Sequence, residues 1–350
     1  MSVRFHLFLF MKKTTFSLAA ILLTLSAGFA QAALDPALLA DARNGNADAQ
    51  FEVGSAYEFA ENVEKDLSKA VEWYRKAAEQ GHVKALNNMG QCYRWGRGVE
   101  QDFSQAAFYW SKAAKKNHPT SLRNLANLYL SGQGVAKDEA HAMSLYRQAA
   151  ETRDPRSALE YAYFLMDGIY LPYDEAEVKK WVRVSAEGKH PVAAMMMAYH
   201  YSVVEKLPAE AGRWAQALIR LTEKPAGIYS KADYYRSAAI LYKNGWGLDA
   251  DPKQAFFWMQ KAAESGCSVT KYELARYYLQ GTGVEKDEKL GVKWLRAAAE
   301  AQVAGAQNQM GICYAKGIGV EKNPEKAKAW FESACQNGLK EACRNLMRFE

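Results

Sequence analysis

Apolar residues follow a helical spacing along most of the chain from residue 47 onward. In one segment Leu86, Met89 and Tyr93 stand at positions i, i+3 and i+7, which places them on one face of a helix. Polar residues fill the positions between them, and short glycine-containing segments separate successive apolar stripes. The pattern therefore predicts a series of amphipathic helices joined by short loops.

One ten-residue motif occurs four times: YRWGRGVEQD, YLSGQGVAKD, YLQGTGVEKD and YAKGIGVEKN, at Tyr93–Asp102, Tyr129–Asp138, Tyr278–Asp287 and Tyr314–Asn323. The first two copies start 36 residues apart, as do the last two. A period of this length indicates a repeat array. The predicted units, after an N-terminal cap segment at 33–46, are 47–82, 83–118, 119–154, 155–190, an irregular 191–231, 232–267, 268–303, 304–339, and a capping helix at 340–350.

Each unit repeats three kinds of position. The eighth residue of the first helix is always small, which predicts close helix packing: Gly54, Gly90, Ala126, Ala162, Ala198, Ala239, Ala275 and Gly311. In every regular unit an Asp or Asn is predicted to cap the second helix: Asp66, Asp102, Asp138, Asp174, Asp251, Asp287 and Asn323. Aromatic residues that follow in the second helix are predicted core. The glycines recur between helices, so we interpret them as turn residues and not as a phosphate loop.

These columns resemble the Sel-1-like repeat, a relative of the tetratricopeptide repeat. The resemblance rests on the small eighth position, the Tyr, the G-x-G-V loop, the capping Asp and the A…W/Y…AA run, and it covers about residue 47 to the C-terminus. It implies an all-α fold, an α/α solenoid with a right-handed superhelix of about eight helix-turn-helix repeats, that binds other proteins. The first unit has Ala60 and Asn62 in place of the glycines, the fourth keeps only Gly168, and the fifth has neither.

By analogy with tetratricopeptide geometry, the first helices line a concave surface, the predicted site for a protein or peptide partner. Its candidate residues are Asn87, Gln91, Arg94, Arg123, Asn127, Tyr163, Met195, Tyr199 and Arg236. Asn and Arg suit a peptide carboxylate or backbone, whereas Tyr and Met suit apolar side chains. Half of the 20 tyrosines lie between Tyr161 and Tyr242, where the repeat is least regular. The alternative is that these are ordinary solvated helix faces.

The cysteines predict one disulfide. Cys335 and Cys343 are eight residues apart, in columns that elsewhere hold apolar residues expected to touch. Cysteine-rich members of the resembled family show the same C-x7-C spacing. We therefore expect a Cys335–Cys343 disulfide, with Cys92, Cys267 and Cys313 as packed thiols.

The N-terminus resembles an export signal. Lys12 and Lys13 precede an apolar stretch at Phe16–Phe29, and Ala30-Gln31-Ala32 fits a small-x-small cleavage site. We expect cleavage after Ala32 and a periplasmic or secreted protein with no membrane span thereafter. Met11 is an alternative start, and an uncleaved anchor is the alternative to cleavage.

Composition and motifs argue against nucleic-acid binding and catalysis. Removing Arg4, Lys12 and Lys13 lowers the formal net charge from +6 to +3, too small for bulk binding to nucleic acid. His82, His118 and His190 end their units, near helix C-termini that favour a cation, and successive units separate them, so no metal site is predicted. We find no HExxH, CxxC, nucleophile elbow or Walker A sequence, and predict no cofactor.

The sequence thus favours a monomeric, non-catalytic scaffold or adaptor of the bacterial envelope. Three alternatives stay open because the resembled family includes such members: a periplasmic immunity protein neutralising a delivered toxin, a secreted factor that binds host proteins, and a weak β-lactam-binding or hydrolysing enzyme. A neighbouring toxin gene, extracellular detection and a nitrocefin assay would discriminate them, respectively.

Overall fold

A computed structural model describes residues 34–225 and 229–348. Over these ranges the protein consists of α-helices and one π-helix, with no strand, which confirms the predicted all-α repeat solenoid. The chain forms two compact units that meet in sequence at Leu145 and Tyr146. The predicted export signal lies outside the described residues.

The first unit contains a short N-terminal helix and three first helices of repeats, with the second helices that follow them. Its helices are α1 (Pro36–Arg43), α2 (Ala47–Phe59), α3 (Leu67–Glu79), α4 (Val83–Trp95), α5 (Phe103–Ala114), α6 (Pro119–Ser131) and the beginning of α7 (Glu139–Glu151).

The second unit continues the array from the end of α7 to the C-terminus. Its helices are α8 (Pro155–Asp167), α9 (Glu175–Glu187), α10 (Pro191–Tyr199), the π-helix (His200–Val204), α11 (Pro208–Glu223), α12 (Lys231–Asn244), α13 (Pro252–Glu264), α14 (Ser268–Gln280), α15 (Glu288–Glu300), α16 (Ala304–Lys316), α17 (Pro324–Gln336) and α18 (Lys340–Leu346).

The glycine motif is a turn that connects the helices of a pair. Gly96 and Gly98 adopt left-handed φ angles of 64° and 70°. The Tyr93 carbonyl accepts a hydrogen bond from the Asp102 N–H (2.9 Å), and Asp102 Oδ1 accepts from the N–H groups of Ser104 and Gln105. The same tyrosine-to-cap hydrogen bond joins Tyr57–Asp66, Tyr129–Asp138, Tyr242–Asp251, Tyr278–Asp287 and Tyr314–Asn323. The predicted turn and its capping residue are confirmed.

The first repeat keeps this turn without glycine. Ala60 and Asn62 stand where other repeats have glycine, yet they adopt left-handed φ angles of 61° and 57°. Such angles cost a non-glycine residue roughly 1 kcal/mol each. The loop geometry therefore persists where the sequence motif has been lost.

The small eighth position lets an aromatic side chain of the second helix pack against the backbone of the first. A Cβ added to Gly54 would lie 2.7 Å from the Tyr74 ring, and one added to Gly90 would overlap Trp110. Both aromatic side chains are fully buried. The predicted packing column is confirmed at these positions.

The histidines at the ends of repeats lie at helix N-termini, whereas the sequence predicted a role at helix C-termini. His82 and His118 are N-caps of the next helix, where Nδ1 accepts hydrogen bonds from Ala85 N and Ser121 N. The expectation of a cation at a helix C-terminus is wrong for them, because a capping histidine must present an unprotonated nitrogen. His190 is also at an N-cap position but makes no capping hydrogen bond.

The fifth repeat departs from the others in backbone as well as in sequence. Helix α10 has only 9 residues and continues into the five-residue π-helix, and α11 is longer than the other helices at 16 residues. At the C-terminus, the predicted Cys335–Cys343 disulfide is present and links the end of α17 to α18. Cys92 and Cys313 are buried free thiols, and Cys267 is half-buried.

Candidate functional site

In the first unit, the predicted polar site residues lie on α4 and α6. Asn87 is buried, and its side-chain oxygen accepts a hydrogen bond from Ser121 Oγ (3.1 Å) while its backbone carbonyl accepts one from Trp110 Nε1 (3.1 Å). Asn87 thus bridges three helices. Arg94, half-buried like Gln91, places its guanidinium 4.8 Å from the Trp95 ring centre.

The other polar candidates of this unit lie on α6. Asn127 Nδ2 donates to the Arg123 carbonyl (3.1 Å) within that helix. Both side chains are half-buried. The side-chain oxygen of Asn87 is hydrogen-bonded to a neighbouring repeat.

In the second unit, the predicted apolar candidates lie close together on α8 and α10. The Tyr163 hydroxyl is 3.9 Å from Met196 Sδ. The Tyr199 ring packs edge-on against the Trp246 ring, with 4.8 Å between the ring centres. Both tyrosines are about two-fifths exposed, at 42% and 41%, while Met195 is half-buried.

Arg236 is held by an ion pair. Its Nη2 and Nε donate to Glu273 Oε1 and Oε2 at 2.6 and 3.0 Å, which makes a bidentate bridge from α12 to α14. The Glu273 carboxylate raises the pKa of Arg236 further above its usual value. The charge of Arg236 is therefore compensated within the protein.

Exposed apolar side chains concentrate in one part of the second unit. Nine of the fifteen large apolar residues that are exposed within the described ranges lie between residues 163 and 207. We call them the apolar patch: Tyr163, Met166, Ile169, Tyr170, Tyr173, Tyr199, Val203, Val204 and Leu207. Sequence reasoning found Tyr163 and Tyr199 but missed the loop and π-helix members, since these positions follow no helical repeat pattern.

A pocket of about 270 Å³ opens within this patch. Its apolar lining consists of Met166, Tyr173, Val178, Val182, Met196, Met197, Tyr199 and Val204. Three charged or titratable residues, Glu175, Lys179 and His200, complete it. The pocket therefore lies among α8, α9, α10 and the π-helix.

The pocket coincides with the loss of the glycine turn. In regular repeats, the second loop glycine packs on the first residue of the second helix of the preceding repeat. Gly98 does so on Leu67, Gly283 on Pro252 and Gly319 on Glu288, and an added Cβ would overlap each of these backbones. At α9 the corresponding first residue is Glu175, which lines the pocket, because the following repeat has the π-helix in place of the glycine turn.

Polar contacts attach the π-helix to α9. Lys179 forms an ion pair with Glu205, and His200 Nε2 lies 2.9 Å from the same carboxylate. These two partners hold the pKa of Glu205 below its usual value. Arg183 donates to the Tyr201 hydroxyl. These contacts join two walls of the pocket, α9 and the π-helix.

Glu175 differs from the other charged pocket residues. It is exposed, and no ion pair or hydrogen bond of its carboxylate occurs among the described residues. Its carboxylate, at the first residue of α9, therefore has no side-chain partner of opposite charge among the described residues at the edge of the pocket.

Metal-binding or membrane-spanning features do not occur in the described ranges. Within residues 34–225 and 229–348, no three His, Cys, Asp or Glu side chains are grouped to hold a metal ion. No helix in those ranges has the length and apolar character to cross a bilayer.

One catalytic spacing escaped sequence reasoning. Ser268 and Lys271 have the S-x-x-K spacing of penicillin-binding serine enzymes, and they stand in the first turn of α14. The companion S-D-N and K-T-G motifs of that class do not occur in the sequence. Among the described residues, no hydrogen bond joins the two side chains.

Two solved structures resemble the protein in both sequence and fold. The protective antigen c5321 of uropathogenic Escherichia coli, which displays an SLR fold, is 29% identical with a TM-score of 0.57, and the match covers 88% of this chain and 65% of that one. This chain therefore spans less than two thirds of the antigen. A Sel1 repeat protein from Oxalobacter formigenes is 26% identical with a TM-score of 0.55, and the match covers 89% of both chains.

More distant likenesses include the immunity protein Pa5087 from Pseudomonas aeruginosa. It is 20% identical with a TM-score of 0.39, over 66% of this chain and 83% of that one, and a likeness at this level says nothing about function. No curated protein matches the chain.

The family model described as "Sel1 repeat" matches seven segments: 47–82, 83–118, 119–151, 155–190, 232–267, 270–303 and 304–339. The unmatched segment between 190 and 232 contains the π-helix. Helix pairs, caps and turns of the described structure agree with this match. The chain belongs to the Sel1 repeat family.

Proposed function

We propose that this protein is a non-catalytic scaffold or adaptor that binds a peptide or protein segment through the apolar patch. One observation carries the proposal: four exposed apolar side chains of the patch, Met166, Tyr173, Tyr199 and Val204, line one preformed pocket beside the repeat that has lost its turn motif. Sel1 repeats form scaffolds for protein–protein interaction, so the array itself needs no cofactor for this role.

The chemistry of the patch supports protein binding. Contiguous exposed apolar surface is uncommon on monomeric soluble proteins and marks interaction sites. Tyr163 and Tyr199 supply rigid contact area, and Met166 adapts to the shape of a partner. The charged residues Glu175 and Lys179 line the pocket beside these apolar groups, as polar residues border the apolar centre of protein interfaces.

The proposal also includes a second contact surface on the first unit, formed by the polar candidates Gln91, Arg94, Arg123 and Asn127. Asn87 and Arg236 are less suited to a partner, because their side chains join neighbouring repeats through Ser121 and Glu273. Truncating either would destabilise the repeat array instead of acting only on binding.

We place this activity in the bacterial envelope. The Cys335–Cys343 disulfide persists in oxidising compartments such as the periplasm and is rare in the cytosol. The export signal predicted at residues 1–32 would deliver the chain there.

Site-specific photocrosslinking tests the proposal. A benzophenone amino acid placed at Tyr199, within the patch, should give a discrete adduct in envelope preparations. The matched control is Phe257, which is 43% exposed on α13 and lies outside the patch. Adducts of equal intensity at both positions, or none at Tyr199, would defeat the proposal.

Alanine variants separate the two surfaces. Tyr163→Ala with Tyr199→Ala should abolish the adduct formed from a crosslinker at Val203, whereas Arg123→Ala with Asn127→Ala reports on the polar surface. If only the second pair reduces the adduct, the partner binds the first unit and the apolar patch is the wrong site.

A further inference from the structure

We propose that the pocket of the apolar patch binds an aromatic side chain of the partner, and that a basic residue next to it in the partner pairs with Glu175. This inference rests on the proposed function, because it specifies the chemistry of the segment that the scaffold binds.

The size of the pocket favours a ring. An apolar cavity of about 150 Å³ is sufficient for benzene, and this pocket has about 270 Å³. A phenol or indole ring therefore fits with its attachment to a backbone, whereas a small aliphatic side chain would leave part of the volume unfilled. Unfilled volume forfeits dispersion contacts with the walls.

The lining also favours a ring over an aliphatic chain. Met166, Met196 and Met197 contribute thioether groups, which make favourable contacts with aromatic edges. Tyr173 and Tyr199 offer edge-to-face partners, which add to the area that a ring buries. An aliphatic side chain would gain only the free energy of burying its apolar surface.

The charge at the pocket favours a cation beside that ring. Lys179 and His200 both contact Glu205, so the positive charge of Lys179 is offset inside the protein. Glu175 has no such partner among the described residues. Complementary charge at the edge of an interface directs partner choice more than it adds affinity.

The pocket exists before any partner binds. Lys179 of α9 forms an ion pair with Glu205, which follows the π-helix, and Arg183 of α9 donates to Tyr201 within the π-helix. The Leu207 N–H donates to the Tyr201 carbonyl at 2.8 Å. A partner side chain therefore enters a site whose walls need little ordering, which lowers the entropic cost of binding.

Methyl NMR on the full chain tests the inference directly. The chain is labelled with 13C-methyl methionine and titrated with three blocked dipeptide amides: acetyl-Trp-Arg, acetyl-Leu-Arg and acetyl-Trp-Glu. Ring currents from Trp should shift the Met166 and Met196 resonances, assigned through Met166→Leu and Met196→Leu. Buried Met89 of the first unit should not move and is the internal reference.

Three results are expected. Acetyl-Trp-Arg should bind about tenfold more tightly than acetyl-Leu-Arg, in line with aromatic and sulfur contacts. Acetyl-Trp-Glu should bind about fivefold more weakly than acetyl-Trp-Arg, the size expected of an exposed ion pair. Glu175→Gln should remove that Arg-over-Glu preference and leave the Trp-over-Leu preference in place.

A filled-pocket variant gives the matched control. Val204→Trp should occupy the pocket from its edge and abolish the dipeptide shifts. Val269→Trp, at a similarly exposed valine of α14 outside the pocket (47% against 50%), should leave them unchanged. Equal binding of Leu and Trp dipeptides, or shifts that survive in Val204→Trp, would overturn the inference.

The outcomes also separate this inference from the proposed function. If the dipeptides cause no shift while the Tyr199 crosslink persists, the scaffold role stands and the aromatic anchor is wrong. If sedimentation shows a wild-type dimer that Val204→Trp dissociates, a second copy of the chain covers the pocket and the inference is likewise overturned.

Discussion

At the scale of single residues, side-chain size sets how closely the two helices of a repeat pack. Gly54, Gly90 and Gly311 each lie under an aromatic side chain of the second helix, and Phe331 covers Gly311 as Trp110 covers Gly90. These aromatic residues are buried. The column is therefore sensitive to a single added methyl group.

Replacing Gly90 with alanine should lower the free energy of unfolding by about 1–3 kcal/mol, because the new Cβ overlaps the Trp110 ring. Urea denaturation would measure the loss. Gly212→Ala is the opposite case. Gly212 lies in α11, and its added Cβ would meet only the Gly247 carbonyl oxygen, at an ordinary contact distance of 3.5 Å. That variant should gain up to about 1 kcal/mol from helix propensity, and a loss there would refute the packing argument.

The pH dependence of stability should depend on His190. Burial lowers the pKa of His190 to about 4, so the unfolded chain binds a proton near pH 6.5 that the folded chain binds only near pH 4. The contribution of His190 to the free energy of unfolding is therefore highest above pH 6.5. It falls as the pH decreases from 6.5 to 4, by about 2 kcal/mol after allowance for partial exposure.

Between pH 7 and pH 4, the melting temperature of His190→Asn should fall less steeply than that of the wild type. Identical slopes for the two proteins would contradict the role of His190.

Residue-level pairing is where sequence reasoning about the site falls short. Helical periodicity places Asn87 and Arg236 on the first helices, but their partners Ser121 and Glu273 stand 34 and 37 residues further along the chain. Periodicity specifies a helix face and leaves open which polar groups meet across repeats. The predicted surface therefore included residues whose polar groups are already bonded.

At the scale of helices, capping residues set where each second helix begins. Asp102→Ala removes the acceptor for two backbone N–H groups at the start of α5 and should cost about 1 kcal/mol. Cys267→Ser should act in the other direction, since Cys267 stands at the N-cap of α14 without a side-chain capping hydrogen bond. Thermal unfolding of both variants would show whether the two changes have opposite signs.

The disulfide at the C-terminus should stabilise the terminal helix. Closing the eight-residue separation between Cys335 and Cys343 is worth about 2.5 kcal/mol in the chain-entropy model. Cys335→Ser with Cys343→Ser should therefore speed amide hydrogen exchange in α18, while exchange in α14 stays as in wild type. Unchanged protection of α18 would show that packing alone holds this helix.

At the scale of the whole molecule, local stability should be lowest at the irregular repeat. Helices α10 and α11 both lack a side-chain capping hydrogen bond, and the π-helix departs from α-helical hydrogen bonding. Residues 191–223 should exchange amide hydrogens before 83–114, whose two helices both have a side-chain capping hydrogen bond, as measured by hydrogen–deuterium exchange. Uniform exchange would mean that the array opens as one unit.

The repeat architecture was predictable because one 36-residue pattern supplies helix faces, caps and turns together. The turn of the first repeat was not, since Ala60 and Asn62 reach left-handed angles that sequence assigns to glycine. The π-helix had no sequence signal. The pocket had only an indirect one, the loss of the turn glycines in the fifth repeat, because its shape depends on how neighbouring repeats pack.

The glycine contact also has an evolutionary consequence. In regular repeats Gly98 and its equivalents close the surface over the preceding helix, so a recognition site can arise by deletion of a motif, with no new side chain required. Flanking repeats preserve the core while one repeat is free to change. Related arrays that have lost the turn at a different repeat are expected to carry their pocket, and hence their partner, at that repeat.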